Sequence, residues 1–122
     1  MDTKLLGRWG ESAAADFLRK KRYKIVGMGY RTRMGEIDII AENREYIVFA
    51  EVKMRRSASF AEAKEYVGAE KQRRIIAAAK SWLMQNETEK QPRFDVLEVY
   101  APEGTDTKKP VINWIENAFF AE

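Results

Sequence analysis

The chain of 122 residues reads as an α/β domain bordering on α+β, a central sheet covered by helices. Three observations predict this. Two long segments carry apolar residues at helical spacing, and five shorter ones have strand character. Their order is helix, three strands, helix, two strands. Stretches such as "IVFAEV" are apolar on both faces, which places them between two covering layers.

The first helix is expected from Thr3 to Lys21, where alanines favour the helical state. Leu5, Trp9, Ala13 and Phe17 recur every four residues, and Gly7, Glu11, Ala14 and Leu18 run beside them. Glu11 therefore lies among small and apolar neighbours rather than with Arg8 and Arg19. "YKIVGMGYRTR" follows as a strand whose glycines suggest a bulge. "GEIDIIAE" and "EYIVFAEVKM" are two strands joined by a tight hairpin turn at "ENRE". "SASFAEAKEYVG" suits a loop followed by a short helix that Gly68 ends or bends. The second long helix runs from Ala69 to Gln85, with Ile75, Ile76, Ala79 and Leu83 inward and a basic outer face. After the polar loop "NETEKQP" come the strands "RFDVLEVYA" and "VINWIENAF", joined by "PEGTDTKKP". No repeat or linker interrupts the chain, so one domain over residues 1–122 is expected.

Composition excludes several chemistries. With no histidine and no cysteine, a histidine-based triad, an imidazole or thiolate zinc site and a disulfide framework are all ruled out. A resident metal must be held by oxygen, which points to Mg²⁺, Mn²⁺ or Ca²⁺. A net charge of +3 permits a polyanionic partner. No apolar run approaches the roughly 20 residues that span a bilayer, and the first residues lack the apolar core of a signal peptide. A cytoplasmic protein with no membrane partner is expected.

The hairpin concentrates the remaining chemistry. Glu36 and Asp38 share one face of the second strand, and Glu51 and Lys53 share one face of the third. A turn with an even number of residues sets Asp38 opposite Phe49 or Glu51, according to register. Asp38, Glu51 and Lys53 then gather on one face at the end away from the turn. Two neighbouring carboxylates repel unless a cation intervenes. A divalent ion removes that conflict and activates water for phosphodiester hydrolysis, and a lysine beside it orients the water or neutralises charge. Against this stands a plain edge strand in which Lys53 satisfies Asp38; flanks this apolar do not suit an edge.

Asp38 with Glu51-Val52-Lys53 resembles the core of the PD-(D/E)XK nuclease superfamily. The wider set "GRWGESAAADFL", "GYRTRMGEIDIIAE", "VFAEVKMR", "KQRRIIAAAKSWL" and "RFDVLEV" looks like the bacterial YraN family, itself similar to archaeal Holliday junction resolvases. The resemblance spans about Gly7 to Val99. It implies a restriction-endonuclease-like three-layer fold with an αβββαβ core around a mixed sheet. It also implies an endonuclease that uses Mg²⁺ or Mn²⁺ on DNA, with branched substrates in view. It makes Asp38 and Glu51 metal ligands, the Val52 carbonyl a third, Lys53 the catalytic lysine and Glu11 a further acidic member and candidate ligand. Glu36 would stand behind the ligands. Ile37 replaces the superfamily's proline, and Ala61 follows Phe60 where glycine is expected. Asp95 is a signature residue of the family, either functional or, as the stronger expectation, in a structural pairing with Arg93 or the helix region.

Arg31, Arg33, Arg55 and Arg56 flank the site strands, and Lys71, Arg73 and Arg74 open the second helix. They are candidates for backbone phosphate contacts, or are solvated charge offset by Glu62, Glu65 and Glu70. Either Lys71 or Gln72 would lean from this helix towards the metal. Trp9, Trp82 and Trp114 are expected in the core. A resolvase-like protein would meet the two-fold geometry of a junction as a homodimer. The alternatives to an enzyme are a non-catalytic nucleic-acid-binding module and a protein adaptor using the basic helix.

Overall fold

The structure is a computed structural model that describes residues 3–56 and 67–121. The expected loop and short helix after Arg56, with Phe60, Ala61, Glu62 and Glu65, lie largely outside those residues. Helix α1 spans Thr3–Lys20, strands β1, β2 and β3 span Lys24–Arg31, Glu36–Glu42 and Tyr46–Arg55, helix α2 spans Ala69–Gln85, and strands β4 and β5 span Gln91–Tyr100 and Val111–Phe119. The strands form one sheet in the order β1-β2-β3-β4-β5. β3 and β4 pair in parallel and every other neighbouring pair is antiparallel. A parallel pair needs a long crossover, and α2 lies within it.

Each face of the sheet packs a helix. Ile47, Phe49, Phe94 and Val96 pack with Ile75, Ala78 and Ala79 of α2. Ile39, Val48, Ala50, Leu97 and Val99 pack with Ala14, Ala15 and Leu18 of α1. Alternation along β3 sends Ile47 and Phe49 to one layer and Val48 and Ala50 to the other. This three-layer α/β arrangement, with its αβββαβ order, is consistent with the restriction-endonuclease-like core. β2 and β3 are interior strands, so their apolar flanks have the double burial that the sequence implies. No helix among the described residues is long and apolar enough to cross a membrane.

Of the two lines seen along α1, the one with Ala14 and Leu18 lies nearer the buried face. Gly10, Ala14, Ala15 and Leu18 are buried, whereas Leu5 is 55% exposed and Trp9, Ala13 and Phe17 only flank the core. Small residues let the helix backbone approach the sheet, which outweighs the larger side chains one step round. Trp82 and Trp114 also pack against the cores, as expected.

Two joints position the site. The β2–β3 connection is closed by Asn43, whose N–H donates to the Tyr46 carbonyl at 3.1 Å and whose Oδ1 accepts from the N–H groups of Glu45 and Tyr46. Only Arg44 and Glu45 remain at the tip, the even-numbered turn that the pairing required. At the other end, the Thr32 hydroxyl accepts the N–H groups of Met34 and Gly35 and so tightens the β1–β2 turn. That turn rests on α2: a Cβ on Gly35 would lie 2.2 Å from the Arg74 carbonyl oxygen. Backbone cannot rotate aside as a side chain does. Gly35→Ala is therefore expected to destabilise the protein by about 1–3 kcal/mol, lowering the thermal midpoint; an unchanged midpoint would mean that this joint yields freely.

Candidate active site

The β2–β3 ladder ends at the pair Ile39 and Ala50. One further step along this register sets Asp38 against Glu51, one of the two alternatives left by the sequence. Here the regular pattern of β2 breaks. Ile37 and Ile40 both pack towards α2, while Ile39 packs towards α1. Across from Asp38, between the pairs Met28–Ile39 and Tyr30–Ile37, lies Gly29 with φ of +60°. Glycine enters this region without the penalty of a side chain. A separate register shift falls between Ile25 and Gly27, the bulge suggested by the glycines of this strand.

Asp38 accepts the Val52 N–H through Oδ2 at 2.8 Å. Its carboxyl also lies close to that of Glu51. Burial first, then the charge of Glu51 and the contact with its carboxyl, push Asp38 up to about 8; the Val52 N–H pulls in the opposite direction. Glu51 is 4% exposed. Its Oε2 is paired with the ammonium of Lys71, which reaches across from the first turn of α2. Burial opposes the Lys71 charge, but contact with Glu51 and the charges of Asp38 and Glu36 outweigh it and raise its pKa.

The other expected members divide into three groups. Glu11, on α1, is raised by burial and by the charges of Glu36 and Glu51. It is an electrostatic neighbour rather than part of a closed cage, for no three carboxylates among the described residues converge as metal ligands. Glu36 is half-exposed and pairs with Arg31 at 3.2 Å. Lys53 follows Glu51 on the side of β3 that faces α2, and among the described residues its ammonium makes no hydrogen bond or ion pair.

A cleft of about 770 Å³ is lined by Arg31, Arg33, Glu36, Glu70, Lys71 and Arg74 among others; it meets the pair through Lys71 and Glu36, and Asp38, Glu51 and Lys53 do not line it. It unites the β1–β2 turn with the start of α2. Arg55 and Arg56 are not part of it; they line a separate hollow with Leu6, Ala101 and Pro102. The Arg55 side chain is only 10% exposed, and its Nε and Nη2 both donate to Glu98. Arg55, expected as a phosphate contact, is thus held by Glu98 on the β4 side rather than set along the cleft. Between Lys71 and Gln72, Lys71 faces the carboxylates, while Gln72 donates to the Val67 carbonyl.

Sequence reasoning has Lys71 as one of two residues leaning towards the site but does not foresee its pairing with Glu51. A signal was present: Lys71 stands one turn before Ile75 on the inward line that continues through Ala78 and Trp82. A cation that heads a buried line has a reason to face inward.

The raised Asp38 pKa carries a pH dependence. Below about pH 3.8 the carboxyl holds its proton whether folded or unfolded. Between 3.8 and about 8 the folded protein keeps the proton that the unfolded chain has lost. Stability therefore falls as pH rises through this window and levels off above it. In a chelator, the denaturation midpoint is expected to be lower at pH 8.5 than at pH 6, by about 1 kcal/mol or more. A dependence of equal size in Asp38→Asn would contradict the assignment.

Comparison with known proteins agrees with the family resemblance. Residues 10–99 match the model of "Uncharacterised protein family UPF0102". A UPF0102 protein of Syntrophotalea carbinolica is 46% identical over 95 residues, 77% of each chain. One of Caldanaerobacter subterraneus subsp. tengcongensis is 41% identical over 121 residues, 98% of each. One of Alkaliphilus oremlandii is 44% identical over 119 residues, 95% of this chain and 98% of its own. With a family match over most of its length and relatives this close from end to end, the chain belongs to the UPF0102 family.

Proposed function

We propose that the protein is a metal-dependent endonuclease that hydrolyses DNA phosphodiester bonds, with branched or otherwise structured DNA as the favoured substrate. The observation that carries this reading is the apposition of Asp38 and Glu51 at the end of a buried hairpin. Holding two carboxyls so close raises the Asp38 pKa, a cost that a binding surface for DNA has no need to bear. The donor set fits Mg²⁺ or Mn²⁺: it is all oxygen and carries the charge that a hard divalent cation neutralises. Asp38, Glu51 and the Val52 carbonyl would hold the ion, with Glu11 lending negative charge from α1.

When bound, such an ion activates water and offsets charge developing on the scissile phosphate. The protein's own groups do the rest. The Val52 N–H fixes the Asp38 carboxylate. Lys53, with no ion-pair partner among the described residues, is available to orient the attacking water. Arg31, Arg33 and Arg74 along the cleft would seat the backbone phosphates on either side.

The test is incubation with Mg²⁺ or Mn²⁺ and a panel of linear, flapped and four-way DNA, with chelator controls. Cleavage that needs the metal and is lost in Asp38→Ala supports the reading. Salt-dependent binding with no metal-dependent cleavage would favour the non-catalytic module, and no binding at low salt the protein adaptor.

A further inference from the structure

We propose that Lys71 is the resident counter-cation of the carboxylate pair, which a divalent metal must displace in order to bind. The inference rests on the metal-site reading above and goes beyond it, by assigning a residue of α2 to control of metal entry.

Glu51 is 4% exposed and its side chain 5%. A buried carboxylate without a counter-charge costs several kcal/mol. Lys71 is the one cation that pairs with it among the described residues. Its ammonium also feels the charges of Asp38 and Glu36. It thus stands against the group of carboxylates that the ion would neutralise. A divalent ion on Glu51 would lie a few ångströms from the Lys71 ammonium, where the two cations repel and the lysine loses the better part of its reason to stay.

The side chain can leave. It is 53% exposed and carried on a flexible four-carbon stem at the edge of the open cleft. Arg93, by contrast, is clamped at 8% side-chain exposure by Asp95 and aromatic rings. A lysine held by one buried partner and otherwise in solvent supports the metal-free fold and still gives way to a stronger competitor. An arginine there would grip the carboxylate in two places and release it less readily.

Calorimetric titration with Mn²⁺ tests this on wild type, Lys71→Met and Lys71→Arg. Methionine keeps the stem and removes the charge. Lys71→Met is expected to bind Mn²⁺ about tenfold tighter or more, and Lys71→Arg more weakly than wild type. Thermal midpoints provide a second readout. Lys71→Met should melt below wild type in chelator, and the gap should close in saturating Mn²⁺. If wild type binds Mn²⁺ and Lys71→Met binds it equally or more weakly, the counter-cation role is overturned while the metal site stands. If neither binds, both readings fall. Should Lys71→Met fail to fold, Lys71→Arg decides: Mn²⁺ binding as tight as wild type overturns the proposal.

Discussion

Asp38→Asn is expected to lose DNA cleavage by about a hundredfold or more, and yet to be more stable than wild type at pH 8.5 without metal. The two effects have one cause. Asparagine keeps the shape of the side chain, and its oxygen can still accept the Val52 N–H that Asp38 accepts at 2.8 Å. Its amide can donate to Glu51, where a second carboxylate could only repel it. What disappears is the negative charge, which is unfavourable beside buried Glu51 and indispensable to a divalent ion. Functional groups held against their preference commonly show this exchange of stability for activity. Cleavage assays on the best substrate of the panel, together with denaturant unfolding in chelator, measure both. A variant that loses activity because it unfolds would not have the predicted gain in stability. One that gains stability and still cuts DNA would remove Asp38 from the chemistry.

The second large effect lies one strand away from Glu51, on β4 beside Ala50, on the face of the sheet that packs α1. Asp95 is fully buried and accepts four hydrogen bonds, from Arg93 Nε and Nη2, Trp114 Nε1 and the Asn117 N–H, all at 2.8–2.9 Å. The Arg93 guanidinium lies over the Tyr46 ring at 4.5 Å and within 6 Å of the Tyr23 and Trp114 ring centres. Asp95→Ala would leave that cation buried with only the Tyr23 hydroxyl and the half-exposed Glu116 as partners. The expected cost is about 3–5 kcal/mol, a fall of roughly 10 °C or more in the thermal midpoint. Arg93→Met/Asp95→Leu should recover part of it, because replacing both partners leaves no uncompensated charge. A loss below about 1 kcal/mol for Asp95→Ala would show that this network contributes little net stability. Neither residue lines the basic cleft, so a folded Asp95→Asn protein should bind metal as wild type does.

This pairing illustrates what could be read in advance. Arg93 and Asp95 are two apart on one strand, so alternation alone puts them on one face and makes the ion pair visible in sequence. The same local logic placed Asp38 near Glu51, since a two-residue turn and apolar arms define a register. It also recovered α2 and β5 at their observed ends, where helical periodicity and a clear loop mark the boundaries. What was missed depends on contacts between elements distant in the chain. Arg55 and Glu98 meet only because β3 and β4 pair in parallel, so the exposed look of "KMRR" concealed a buried guanidinium. Gly35 meets the Arg74 carbonyl only when the β1–β2 turn docks on α2. For α1, periodicity showed two adjacent lines, and close backbone approach selected the one with the smaller residues. Lys71 is an intermediate case: its helix and, as one of two alternatives, its lean towards the site were legible, but its pairing with Glu51 was not.

The central claim is that Asp38 and Glu51 form a binding site for a divalent cation. The most direct measurement is the loss of the free Mn²⁺ electron paramagnetic resonance signal on titration with the purified protein at pH 8, in the absence of DNA. Wild type is expected to remove one Mn²⁺ or more per chain, Mg²⁺ to compete for it, and Asp38→Asn to leave the signal of free Mn²⁺ unchanged. Equal Mn²⁺ uptake by wild type and Asp38→Asn, or no uptake by either, would contradict the claim.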